Sequence, residues 1–238
     1  RTRVETALGS FVIAVDPQVA PVTVANYLAY VDARHLDGGA VYRIVTLANQ
    51  TPETKHKIEV VQWGMNTPDD KPAPFAPIVH ETTRQTGLRH RDGTVSMARN
   101  GPGTATAEFF ICVGDQPELD FGGGRNPDGQ GFAAFGQVVE GMDVVRALHA
   151  RGQARQFLPE PIRVTRVRRL CPGRHDGRLR RHRQPEHPQV VAGAQPDRLL
   201  QSQRARHPAG QRRRRDQPVR ARRLPAGHTH QHRRFHRR

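Results

Sequence analysis

A chain of 238 residues, 35% hydrophobic and 25% charged with a formal charge of +16, is long enough for one sizeable core and points on average to an acidic partner such as nucleic acid. The average conceals a division: residues 1–170 hold 19 Lys and Arg against 18 Asp and Glu, whereas 171–238 hold 19 Arg and no Lys against 4 acids. Only Cys112 and Cys171 occur, which excludes a disulfide framework or a cysteine zinc site, and no apolar run reaches the ~20 residues of a membrane span, so no membrane partner is expected.

Taken in order, Arg3–Thr6 and Phe11–Val15 read as two strands joined at Gly9, the second alternating at Phe11, Ile13 and Val15. Val24, Tyr27, Leu28 and Val31 follow at the spacing of an amphipathic helix ending near Arg34–Gly39, and its tyrosines read as core. Val41–Val45 is a β-branched strand with Arg43 in its middle. A polar insertion, Thr46–Lys57, separates it from a strand at Ile58–Gln62, and a Pro- and Asp-rich loop then runs to about Pro77. Val95–Ala98 and Phe109–Val113 are strands around the small-residue loop Arg99–Ala107, whose backbone a ligand could approach closely. After the glycine-rich loop Asp115–Gly131 come a strand at Phe132–Val139, a helix at about Gly141–His149, and a last strand, Ile162–Val167, preceded by Pro159 and Pro161.

Short strands, frequent turns and two isolated helices indicate a mainly β antiparallel barrel. Gly129-Gln130-Gly131-Phe132-Ala133-Ala134 fits the dinucleotide pattern by letter, but no strand precedes it and no helix follows. A nucleophile elbow, a phosphate loop and a histidine pair at metal spacing are all missing from residues 1–170. Cys112 reads as a small buried hydrophobe. His80 and His90, beside Glu81 and Asp92, read as solvated or capping histidines.

The segment Gly93–Gly114 carries Ser-Met-Ala, then Asn-Gly-Pro, then Glu-Phe-Phe-Ile-Cys, and resembles the central segment of the cyclophilins, bacterial ones above all. The run APVTVANYLAYV is similar to the first helix of that family, and the likeness covers about Val4 to Leu170. It implies a closed eight-stranded antiparallel β-barrel with a helix over each open end, and a peptidyl-prolyl cis–trans isomerase acting as a monomer on proline-containing peptides and unfolded proteins, without cofactor or metal. Val41-Tyr42-Arg43-Ile44 is similar to the segment bearing the family's catalytic arginine, which places that role on Arg43. By the same likeness Gln62 orients the arginine, Ala98, Arg99 and Asn100 line the peptide groove, Phe110 floors the proline pocket, Leu119 walls it, and Phe132 stands where other members carry His or Tyr.

Three departures stand out. The family's Gly-Phe-Met is Ile58-Glu59-Val60 here, so a pocket aromatic is lost and Val60 is smaller; the groove glutamine is Glu108; and the link from Arg43 to Gln62 is long. An ionised Glu108 can only accept hydrogen bonds, and is expected to draw Arg43 towards itself. Fold-preserving loss of turnover, leaving a module that only binds proline segments, is the alternative that these departures raise.

Residues 171–238, rich in Arg, His, Pro, Gln, Ala and Gly, cannot bury enough apolar area to offset ordering and are expected to be disordered. Arg212–Arg215 and the terminal arginine pairs could bind nucleic acid, and His228, His230 and His232 a metal; a GC-rich gene read in the wrong frame gives the same text, and the lack of Lys fits that. The chain starts at Arg1, as one does whose signal peptide has been removed or whose start is missing, so periplasmic and cytoplasmic locations both stay open.

Overall fold

The computed structural model describes residues 1–68 and 71–170. The disorder, nucleic-acid and metal expectations for 171–238 fall outside the described residues. Eight strands form a closed antiparallel barrel: β1 (Thr2–Thr6), β2 (Gly9–Val15), β3 (Ala40–Val45), β4 (Val60–Gly64), β5 (Thr94–Met97), β6 (Glu108–Cys112), β7 (Ala134–Glu140) and β8 (Phe157–Arg169), in the order β1-β2-β7-β5-β6-β4-β3-β8. Closure of β8 onto β1 leaves no open sheet edge among the described residues to template aggregation.

Side chains alternate across the strands, and one set fills the barrel. Val41, Ile44, Val61, Trp63, Phe109, Ile111 and Phe135 belong to this core. Phe109 lies at its centre, with ring centroids 5.2 Å from Tyr27 and 5.3 Å from Trp63, both tilted or edge-on as aromatic quadrupoles prefer. Helix α1 (Pro21–Asp32) packs on β7 and β8 and buries Tyr27 and Tyr30, as the periodicity requires. Its N-cap, Ala20, has no side-chain acceptor. Glu81 supplies one from 58 or more residues away, taking the Val22 and Thr23 N–H groups at 3.1 and 2.7 Å.

Differences from the sequence-based expectations have local causes. Besides α1 and α3 (Met142–His149), a third helix, the single turn α2 (Thr83–Thr86), is closed by a capping box between Thr82 and Gln85. Strand β4 begins at Val60 rather than Ile58, because the Gln50 side chain takes both the N–H and the C=O of Ile58. Strand β7 begins at Ala134 rather than Phe132, whose N–H is bound to the Leu119 carbonyl. Strand β8 extends through Pro159 and Pro161. Its register against β3 jumps from Val41↔Ile162 to Arg43↔Phe157, so both prolines lie in a bulge where no ladder donor is needed. Among the described residues no helix is long and apolar enough to cross a membrane.

Truncation of Phe109 to Ala empties the middle of the core and should cost about 3–5 kcal/mol of stability, read as a lowered denaturant midpoint at unchanged slope. A loss below about 1 kcal/mol would show that the barrel does not depend on this aromatic cluster.

Candidate active site

The outward-facing residues of β3, β4 and β6 make the floor of a cleft of about 860 Å³. Its geometry follows from one irregularity. On β3 the pairing steps from Val41↔Trp63 to Arg43↔Gln62, so two residues, Tyr42 and Arg43, stand opposite one. A bulge of this kind re-aims side chains. Here both flank Gln62: Arg43 donates to Gln62 Oε1 at 2.9 Å, and Gln62 Nε2 donates to the Tyr42 hydroxyl at 2.6 Å. From the other side Gln156 Oε1 accepts from Arg43 Nε and Nη2 at 3.1 and 2.6 Å, and Phe157 lies under the guanidinium, its centroid 5.5 Å away.

Both anchors of Arg43 are neutral amides, and among the described residues it forms no ion pair. Three N–H groups are thereby used, and two of the five remain for a ligand. Burial, and then the neighbouring positive charge of Arg125, push its pKa down without removing the charge.

Beside this cation lies a small apolar cluster separate from the barrel core. Val45, Ile58, Val60, Phe110, Cys112 and Leu119 are buried in it, with Ala98 and Phe132 packed on its edge. Phe110 and Phe132 meet at right angles, their centroids 5.3 Å apart. Behind Phe110, stacked at 5.9 Å, is His90. His90 is buried rather than solvated: its Nδ1 meets Asp120 Oδ1 at 2.8 Å and its Nε2 meets Ser96 Oγ at 3.0 Å. Burial raises the pKa of Asp120, but the hydrogen bonds and charge of His90 outweigh it and leave that pKa low. His80 is half-buried against the Gln130 carbonyl, and burial pushes its pKa down.

All ten residues singled out in the sequence, Arg43, Val60, Gln62, Ala98, Arg99, Asn100, Glu108, Phe110, Leu119 and Phe132, line this one cleft. Two of them differ from expectation in detail. The Arg99 guanidinium is spent on Asp128, in two hydrogen bonds of 2.7 and 3.0 Å, and on the Gly131 carbonyl, and it stacks at 5.2 Å over Phe132. That side chain fixes the wall of the pocket and is not free to hold a peptide. Its hydrogen bonds hold the Asp128 carboxyl at about 2.

Glu108 does not pair with Arg43. It lies over Gly64, where any side chain would collide with its carboxylate, and Oε1 accepts from the Asn66 N–H at 2.9 Å. The buried Oε2 makes no hydrogen bond of full geometry, although the Tyr42 hydroxyl and the Thr67 N–H lie close to the carboxyl. Burial pushes this carboxyl up to about 7, against the pull of Tyr42 and of the Asn66 and Thr67 N–H groups.

Residues that the sequence did not bring forward are Tyr42, Gln156, Phe157, Ile58 and Arg125. The β-bulge, a contact across 113 residues and the closure of β8 on β3 place the first three, and Gln50 in the insertion holds Ile58 and Arg125; none of these leaves a local mark. Ile58 is buried in the apolar cluster with Val60 and Phe110.

The family model for cyclophilin type peptidyl-prolyl cis-trans isomerases matches residues 1–169. The chain is 39% identical over 145 residues to peptidyl-prolyl cis-trans isomerase cyp18 of Streptomyces antibioticus, covering 60% of this chain and 79% of that relative. It is 34% identical over 156 residues to peptidyl-prolyl cis-trans isomerase B of Escherichia coli K12, covering 65% and 87%. Among solved structures, a cyclophilin type isomerase of Cryptosporidium parvum, crystallised in the presence of the dipeptide Ala-Pro, shares the fold with a TM-score of 0.57 at 16% identity, covering 71% of this chain and 98% of that one.

The Glu108 carboxyl gives a test that is independent of any activity. Between its ordinary value of 4.5 and its folded value of about 7, the folded protein keeps a proton that the unfolded chain has lost. Stability therefore falls as pH rises across that window, and the full cost is present above it. Glu108→Gln removes the titration, so its gain in Tm over the parent should grow from about pH 5 to about pH 8. A difference that is flat with pH would place the carboxyl in solvent.

Proposed function

The chain belongs to the cyclophilin-type peptidyl-prolyl cis-trans isomerases, and on that premise we propose that X–Pro bonds turn over in the cleft around Arg43. Rotation about such a bond must break amide resonance, a barrier of about 18–20 kcal/mol. No nucleophile or metal is needed. What lowers the barrier is a pocket that holds the proline ring together with a donor that favours the twisted, pyramidal amide over the planar one.

The observation that carries the reading is the guanidinium held by Gln62 and Gln156 beside the apolar cluster of Phe110. Phe110, Leu119, Val60 and Phe132 would take the ring; Arg43 would donate to the amide; Ala98 and Asn100, in the small-residue loop, would run beside the peptide backbone. Gln62 and Gln156 are positioning residues, since each acts through Arg43. Residues 1–170 form the catalytic domain in this reading, a monomer that needs neither cofactor nor membrane. A nucleic-acid partner would involve only 171–238.

Glu59 and Glu108, in place of an aromatic and an amide, favour a second reading: a module that holds proline-containing segments with little turnover. Exchange NMR on a short X–Pro peptide separates the two. Arg43→Ala should lower kcat/KM by about a hundredfold, the loss of one charged donor in a shielded site, with the thermal transition retained. Arg43→Lys should recover only part of it, because an ammonium lacks the planar fork that two amides can hold. Parent-like turnover in the Ala variant would remove Arg43 from the mechanism; binding without turnover in the parent protein would select the second reading.

A further inference from the structure

We infer that Arg125 forms an anion site in the same cleft and selects peptides carrying an Asp or Glu side chain close to the proline. The inference rests on the isomerase reading of the cleft and names the substrates that this cleft prefers.

Arg125 sits in the glycine-rich loop that also carries Asn126, and it lines the cleft together with Arg43. Its guanidinium is half-buried and donates from Nη1 to Gln50 Oε1 at 3.2 Å and to the His56 carbonyl at 3.1 Å. Both acceptors belong to the insertion Thr46–Lys57. Gln50 is itself fixed there, because its Nε2 donates to the Thr46 and Ile58 carbonyls, both at 2.8 Å, and its Oε1 accepts from the Ile58 N–H at 3.1 Å. The long polar segment is therefore a bracket that presents Arg125 to the cleft through uncharged partners.

The nearby carboxylates are committed elsewhere. Glu118 takes His56 at 2.8 Å and the Gly124 N–H at 2.7 Å. Asp128 takes Arg99, and Asp120 takes His90 and Arg89. Glu108 accepts from Asn66. Among the described residues neither Arg43 nor Arg125 has a carboxylate partner. Burial lowers the pKa of both guanidiniums, and the charge of Arg125 lowers that of Arg43 further, so each carries an uncompensated desolvation cost. A ligand carboxylate offsets that cost, and a guanidinium fork suits it geometrically.

The test uses the full chain and two pairs of short X–Pro peptides, identical but for Glu against Gln, placed before the proline in one pair and after it in the other. Isomerisation is followed by exchange NMR and affinity by chemical-shift titration. In at least one pair the Glu peptide should be favoured roughly three- to tenfold, between the value of an exposed ion pair and that of a half-buried one. That ratio should fall towards one in Arg125→Gln and at high salt, and persist in Arg125→Lys, which keeps the charge if not the fork. The basic 171–238 segment is common to all variants and cancels. A parent ratio near one in both pairs, or a ratio unchanged by Arg125→Gln, overturns the inference. Should none of the peptides be isomerised, the isomerase reading fails, and the Kd ratio still decides for or against the anion site.

Discussion

A guanidinium held between two glutamine side chains is the constraint around which the cleft is arranged. Arg43 could be fixed more tightly by a carboxylate, but a carboxylate would discharge it. The amides of Gln62 and Gln156 give direction without neutralisation. The bulge at Tyr42–Arg43 brings the arginine to the outer face beside Gln62, and the jump in register that admits Pro159 and Pro161 into β8 brings Gln156 and Phe157 to its other side. Two departures from regular pairing, on adjacent strands, thus serve one side chain.

The surrounding charges obey the same logic. Arg99 is neutralised by Asp128 and stacked on Phe132, where it serves the pocket wall. Asp120 is matched to His90 beneath Phe110, a buried polar pair whose partners are satisfied. Arg43 and Arg125 alone among these carry neutral partners, and both line the cleft. Glu108 is the opposite case, a carboxyl forced into a site with one oxygen lacking a full hydrogen bond and a folded pKa of about 7. Its position over Gly64 keeps it apart from Arg43, and the arginine's charge is not spent there.

Much of this was legible in the sequence, and the part that was not has a physical reason. Alternation in Phe11–Val15 and the spacing Val24, Tyr27, Leu28, Val31 gave strand and helix directly, because each reports one buried face. The cleft-lining set emerged from the wording of Val41–Ile44, Ile58–Gln62, Gly93–Gly114 and Glu118–Asp120 together with Phe132, and all ten of its members line a common cleft. His90 was misread because its neighbours in the chain are charged while its neighbours in space are Phe110, Asp120 and Ser96. Gln156 carries no local signal at all, since its role depends on a register shift 113 residues from the arginine it holds. The pairing expected of Glu108 with Arg43 followed from charge alone and failed because backbone N–H groups at Asn66 and Thr67 lay nearer to hand.

The claim that Arg43 works because its charge is left uncompensated is tested most directly by converting one neutral anchor into an anion. Gln156→Glu keeps the shape of the side chain and offers Arg43 a carboxylate in place of an amide oxygen. The account predicts a fall in kcat/KM of about tenfold or more on an uncharged X–Pro peptide, equivalent to about 1.4 kcal/mol of lost transition-state stabilisation, with the thermal transition of the protein retained. Turnover equal to or above that of the parent protein would contradict it.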